Sequence, residues 1–300
     1  MPVMSEITVA GIGELLWDCF GDDRRPGGAP ANVAFHAASL GAIGLLCSRV
    51  GCDEAGDALL DHLRAHGLDD RFVQRDNQRP TGRVTVDASR PDDPQYTIQE
   101  GVAWDHIALD PAFVEQIRAP AAICFGALAQ RSPIGRAALQ RTLDLTTGVL
   151  RVFDVNLRPP FFTRQVLADS LARSDVVKLN EHEVPVVQKL FDRPDDGPEA
   201  LIRWLRDDWP VRWVCITRGP AGCLLAGDGG LCAEPGRVSE GADAVGAGDA
   251  FTAALVCGIL LDWPIERIAR IANAVGGIVA GHSGAMPDVR DAYAKLLEKA

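Results

Sequence analysis

Short apolar runs alternate with helical stretches along most of this chain, and that alternation limits its fold more than any other feature. Residues 7–11 (ITVAG), 44–50, 121–125, 151–155, 175–179 and 213–217 read as strands. Between them lie helical segments such as 31–40, 55–66, 164–172 and 181–190. Strand–helix alternation predicts an α/β fold whose sheet is mostly parallel, with helices on both faces. The last third is more helical: 247–261, then 264–280, where Pro264 suits a first helical turn. One stretch breaks the rhythm. Residues 83–87 and 95–99 both alternate, and only the turn-rich 89–94 separates them. They read as a β hairpin, either a flap outside the main sheet or a hairpin on its edge.

Composition narrows the function classes. With 300 residues the chain can bury about 75% of its unfolded surface, so it needs no disulfide or metal to fold. Thirty Lys and Arg against 41 Asp and Glu leave a net charge of −11. Such a surface disfavours non-specific nucleic-acid binding, which needs cations against phosphates. It does not forbid a phosphorylated substrate, because backbone N–H groups hold anions without net charge. The eight cysteines form no C-x-x-C pair and sit mostly in apolar runs, as small hydrophobes do in a reducing compartment. The first residues lack a basic segment and carry Glu6 and Glu14, unlike a signal peptide. No run of 18 apolar residues offers a membrane span. The expectation is a cytoplasmic protein with neither a membrane nor a nucleic acid as partner.

Chemistry concentrates in residues 243–251, DAVGAGDAF, which open an apolar helix. Gly246, Ala247 and Gly248 are small, so their N–H groups can approach an anion at the positive end of that helix. Asp249 falls in the first turn beside them, where a carboxylate can take the proton of a hydroxyl attacking a phosphoryl group. Alternatively, Asp249 only caps the helix and the glycines only make a tight turn. Other nucleotide signatures fail. There is no G-x-x-x-x-G-K-[ST], and residues 11–16 (GIGELL) carry Leu16 where a third glycine belongs.

At 243–251 the sequence resembles the ribokinase-like (PfkB-type) carbohydrate kinases, and the family's other landmarks follow in order. Residues 27–51 look like its N-terminal signature, with Gly27–Gly28, Asn32, Gly41 and Gly51 at the family spacing. Asp53 and Gly56 fit the continuation into the next helix; KLNEHE at 178–183 resembles the N-x-x-E motif, and TRGPAG at 217–222 its nucleotide-binding turn. The resemblance runs from Ile7 to about Pro287. GGAPAN at 27–32, DVNLR at 154–158 and AWD at 103–105 look most like bacterial fructokinases. The resemblance implies a single ribokinase-like domain over 1–300, a three-layer αβα fold, with a discontinuous β lid from about 14–26 and 80–104.

It also implies an ATP:sugar phosphotransferase and gives each residue a role. Asp249 is the base for a primary hydroxyl, and the N–H groups of Gly246, Ala247 and Gly248 form the anion hole. Arg158 offers a planar cation to phosphate oxygens, a surface salt bridge being the alternative. Asn180 and Glu183 organise Mg²⁺ and its waters, or else cap their helix, and both readings can hold together. Thr217, Gly219, Gly222 and Asn273 line the nucleotide, while Asp18, Gly28 and Asn32 meet the sugar. A monovalent cation, usually K⁺, sits in relatives beside the anion hole. Asp243 matches its carboxylate ligand, with carbonyls from Val245, Val279 and Gly284, although Ala244 stands where relatives carry Thr. Trp104 reads as lid or core packing rather than a stacking platform, and His282 has no counterpart. The expected substrate is fructose. Kinases for 2-keto-3-deoxygluconate, ribose or a phosphosugar, and a non-catalytic sensor, are the alternatives. A phosphosugar would need extra cations, which Arg24, Arg25 and Arg83 can supply. Relatives commonly bury the lid's edge against a second copy, so a homodimer through the lid is expected.

Overall fold

The computed structural model describes residues 2–87, 95–118, 121–236 and 245–299. The predicted 89–94 turn lies outside them. In chain order the strands are β1 (Thr8–Ile12), β2 (Leu16–Phe20), β3 (Asp23–Gly27), β4 (Ile43–Gly51), β5 (Val73–Asp76), β6 (Gly82–Asp87), β7 (Gln95–Ile98), β8 (Ala121–Gly126), β9 (Leu150–Asp154), β10 (Val176–Asn180), β11 (Trp213–Thr217), β12 (Cys223–Gly227) and β13 (Gly230–Glu234). The helices are α1 (Ala29–Ser39), α2 (Glu54–Ala65), α3 (Pro111–Gln116), α4 (Pro133–Leu145), α5 (Arg164–Leu171), α6 (Glu183–Leu190), α7 (Pro198–Asp208), α8 (Ala247–Leu260), α9 (Ile265–Ala280) and α10 (Arg290–Glu298).

Nine strands form one sheet in the order β13-β12-β11-β10-β9-β8-β1-β4-β5. All pairs are parallel except β11–β12 and β12–β13 at one edge. Successive side chains of a strand point to opposite faces, and here each face owns a separate core. Ile123, Phe125, Phe153, Val177 and Leu179 pack with α4 to α7, whereas Ala122, Cys124, Val152 and Val176 pack with α8, α9 and Tyr293 of α10. The result is the three-layer α/β/α arrangement expected from the sequence. Helix α8 is apolar on every side because it is wedged between α1, α9 and the sheet.

The expected hairpin exists and does not edge the main sheet. β6 and β7 pair antiparallel and join β2 and β3 in a separate sheet of order β3-β2-β6-β7, with β2 parallel to β6. Trp104 is fully buried in the core below this sheet, its Nε1 against Gly82 of β6. No helix of the described residues is long and apolar enough to cross a membrane.

Candidate active site

Ligand crevices in α/β sheets open beyond the carboxyl ends of parallel strands. Most of the expected site residues collect there. Asp154 ends β9, Asn180 ends β10 and Thr217 ends β11. Past β9 the backbone turns at Asn156 (φ +39°), a conformation asparagine tolerates, and this carries Arg158 out to an exposed position. Its Nη1 donates only to the Leu157 carbonyl at 3.1 Å, and no ion pair engages it among the described residues.

Gly246 caps α8 with φ +77°, and a Cβ there would lie 2.6 Å from Cα of Ala285. Glycine is thus required twice, by conformation and by the close approach of the 281–286 segment. Ala247 and Gly248 open the helix, whose first N–H groups have no intrahelical partner. Asp249 follows in the first turn, partly buried, and its Oδ2 accepts a 2.7 Å hydrogen bond from Nδ2 of Asn32. Burial and the nearby Asp154 carboxylate push its pKa up to about 7, against the downward pull of Asn32, Lys178 and Arg158. A carboxyl poised near neutrality is suited to general-base work. Asn32, expected at the sugar, therefore also holds the expected base.

Under the start of α8 lies a buried pair that sequence reasoning missed. Lys178 and Asp154 are register partners across β10 and β9, and Nζ of Lys178 donates to both carboxylate oxygens at 2.9 and 3.2 Å. Thr252 of α8 adds a 3.0 Å hydrogen bond to Asp154. Burial pulls the Lys178 ammonium down, but Asp154, Asp249 and Glu183 outweigh it and raise its pKa. A Cβ on Gly248 would come within 3.2 Å of that ammonium, so the cation backs the anion-binding turn directly.

Asn180 and Glu183 form a reciprocal cap. Asn180 Oδ1 accepts from the N–H groups of His182 and Glu183 at 3.0 and 3.1 Å, and Glu183 Oε2 accepts from Asn180 N–H at 2.8 Å. The other Glu183 oxygen accepts from Leu157 N–H at 2.6 Å, tying the segment after β9 to α6. Both side chains spend oxygens on backbone donors, so they suit a cation that keeps its own waters better than direct ligation. Among the described residues, no group of three His, Cys, Asp or Glu is placed to hold a metal ion.

At the expected nucleotide end, Gly219 (φ +52°) and Gly222 (φ +90°) shape the turn after Thr217, and a Cβ on Gly222 would collide with the Glu234 carbonyl at 2.0 Å. Asn273 of α9 reaches toward Cys223 Sγ and the carbonyls of Glu234 and Pro235 at 3.4–3.6 Å, pinning β13 beside this turn. At the other end, Gly28 caps α1 (φ +114°) so close to Glu14 that a Cβ would lie 2.2 Å from its carbonyl oxygen. Asp18 of β2 sits against Gly27. Of the expected monovalent-cation set, Asp243 and its neighbour Ala244 lie outside the described residues. Val245 precedes the α8 cap, the Val279 carbonyl accepts from His282 N–H at 2.8 Å, and Gly284 is buried with φ +80°. His282 is exposed and turned onto the Ile278 carbonyl.

A helix start open to anions, faced by a carboxyl near neutrality, is equipment for moving a phosphoryl group to a hydroxyl. The two sheets give that equipment the ribokinase-like frame. The chain belongs to the pfkB family of carbohydrate kinases, whose sequence pattern matches residues 12–292. A sugar kinase of Pyrococcus horikoshii is 30% identical over 299 residues, covering 92% of this chain and 91% of that protein. Its crystal structure superposes with a TM-score of 0.83 over 96% of this chain and 97% of that one, at 28% identity, and a further crystal structure of it is a complex with ATP. The fructokinase of Escherichia coli is 27% identical over 279 residues, 87% of each chain. The ATP-bound fructokinase of Xylella fastidiosa shares the fold, with a TM-score of 0.85 over 98% of this chain and 99% of that one at 19% identity.

Proposed function

We propose that this kinase phosphorylates the primary hydroxyl of a neutral sugar, converting fructose and ATP to fructose 6-phosphate and ADP. The observation that carries this reading is the charge around the sugar end of the crevice. Acidic residues border the expected sugar residues, Asp249 bonded to Asn32, Glu14 against Gly28 and Asp18 against Gly27, and the cations a phosphosugar would need are otherwise engaged. Arg24 stacks on Trp17 with its guanidinium 4.7 Å from the ring centre, Arg25 pairs with Asp23 at 3.1 Å, and Arg83 donates to Gln99 at 3.0 Å. Low-identity kinship with fructokinases of bacteria and plants supports the same substrate.

In the reaction, Asp18, Gly28 and Asn32 hold the sugar with its primary hydroxyl against Asp249. Ionised Asp249 accepts the hydroxyl proton as the oxygen attacks the γ-phosphorus of ATP. The N–H groups of Gly246, Ala247 and Gly248, with Arg158, meet the charge on the transferring oxygens. Thr217, Gly219, Gly222 and Asn273 seat the nucleotide. Mg²⁺, held through water by Asn180 and Glu183, supplies charge neutralisation at the phosphates. K⁺ beside Asp243, Val245, Val279 and Gly284 is proposed on the same family basis; a Vibrio cholerae fructokinase structure contains fructose, ADP and potassium. The small sheet, from about 14–26 and 80–104, serves as a lid that keeps water from the phosphoryl group. Its free edge suits pairing with a second copy, and the buried thiols suit a cytoplasmic location.

A panel of free, phosphorylated and acidic sugars with ATP and Mg²⁺, followed by ADP release, tests this. Turnover of fructose above the others is expected. Turnover confined to a phosphosugar or a sugar acid would overturn the fructose assignment.

A further inference from the structure

β1 and β8 are parallel neighbours, so the segments leaving them emerge side by side at the sugar end of the crevice. A Cβ on Gly13 would touch Ala129 at 3.1 Å. Glu14 follows Gly13 and Arg131 follows Gln130, so the two buried side chains leave these neighbouring segments, and the Arg131 charge acts on Glu14. Glu14 is 4% exposed and the Arg131 side chain 6%.

Arg131 is held rigidly. Nε and Nη2 donate to the two carboxylate oxygens of Asp105 at 2.7 and 2.9 Å, and its plane lies between Trp104 and Phe161, 4.1 and 4.8 Å from the ring centres. Its third nitrogen, Nη1, is buried with no partner among the described residues. Glu14 Oε2 is likewise buried with no partner among the described residues, and burial raises the Glu14 pKa against the pull of backbone N–H groups, Arg158 and Arg131. Asn32 Oδ1 on α1 is also buried without a partner among the described residues. Unpaired buried polar groups cost stability unless something bonds them, and an acceptor and a donor left open on two neighbouring segments call for a group that does both. A hydroxyl does both.

We propose that Glu14 and Arg131 form a hydroxyl clamp: one non-reacting hydroxyl of the sugar donates to Glu14 Oε2 and accepts from Arg131 Nη1. The clamp deepens the neutral-sugar reading above and rests on it. It selects a polyol over a sugar acid, because Arg131 is already paired with Asp105 and a carboxylate has no proton to donate to Glu14 Oε2.

The test compares wild type, Glu14→Gln and Arg131→Lys with fructose and its monodeoxy analogues, by turnover and by calorimetric sugar binding. Lysine keeps the charge beside Asp105 but lacks the third nitrogen. Melting temperature and KM for ATP check that each variant is folded. The expected result is a KM for fructose raised about 10- to 100-fold in both variants, with KM for ATP unchanged. One deoxy analogue should bind wild type that much more weakly than fructose, and the difference should vanish in both variants. Equal penalties for every analogue in wild type and variants would overturn the clamp, as would preference for 2-keto-3-deoxygluconate that Arg131→Lys alone removes. Fructose binding with the expected pattern but no turnover would leave the clamp standing and sink the kinase reading. Absence of any sugar binding sinks both.

Discussion

Nδ2 of Asn32 donates to Oδ2 of Asp249 at 2.7 Å across 217 positions of chain. The bond fixes one carboxylate oxygen and leaves the other for a substrate proton. Asp249→Asn should lower kcat by about 10²–10⁴ with little change in KM for ATP. In wild type, kcat/KM should rise as pH climbs through about 7, where the Asp249 carboxyl ionises. A pH–rate profile flat from 5.5 to 8.5 would remove Asp249 as the base.

The same group predicts a stability effect of opposite sense. Its pKa in the folded chain, about 7, lies above the ordinary 3.8, so the fold loses stability as pH rises from about 4 to 7 and the full penalty stands above 7. Asp249→Asn should therefore be more stable than wild type at pH 8, by roughly 4 kcal/mol. The advantage should fade below pH 7 and disappear near pH 4. Thermal melts at three pH values decide it.

Lys178 and Asp154 act on Asp249 with opposite signs. Lys178→Met removes a downward pull and should move the rise in kcat/KM to higher pH. Asp154→Asn removes an upward push and should move it lower. Each single change also leaves a buried charge unpaired and should cost about 3–5 kcal/mol. Shifts of the same sign in the two variants would contradict the arrangement.

His36 lies one helical turn beyond Asn32 on α1. It is fully buried between the Ala285 carbonyl and the Tyr293 hydroxyl, each at 2.9 Å. Burial lowers its pKa to about 4, against the Ala285 hydrogen bond. A lowered pKa means that its contribution, about 3 kcal/mol, is present above pH 6.5 and is lost as pH falls toward 4. His36→Gln should show a shallower loss of stability over that window in chemical denaturation.

Gly246→Ala places a methyl 2.6 Å from Cα of Ala285 at a φ of +77°. Strain of about 1–3 kcal/mol and displacement of the helix start should follow. Loss of kcat by about 10²–10³, with sugar binding retained by calorimetry, is the expected signature of a damaged anion hole.

What the sequence made legible was local. DAVGAGDAF marked a helix start, and KLNEHE marked a strand–helix junction, because caps and small residues leave their pattern in adjacent positions. Lys178 and Asp154 stood at the edges of two recognised motifs, yet their pairing needs the β9–β10 register, which no single segment encodes. Glu14 read only as a charge unsuited to a signal peptide, and Arg131 carried no pattern at all. Their meaning comes from the adjacency of β1 and β8, a crossover connection spanning about a third of the chain. The β12–β13 hairpin was legible in principle: Asp228-Gly229 between two alternating runs is a turn signal that went unread.

The brace of Ala285 against Gly246 has a consequence for synthesis. Asn32 emerges early from the ribosome, Gly246 late and Ala285 later still, yet all three must meet before the anion hole has its shape. A nascent chain that stops short of residue 285 already contains every strand of the large sheet. It can bury most of its core and still cannot hold the α8 start in place. Completion of the large sheet and shaping of the α8 start thus fall at different moments of translation, the second waiting on residue 285.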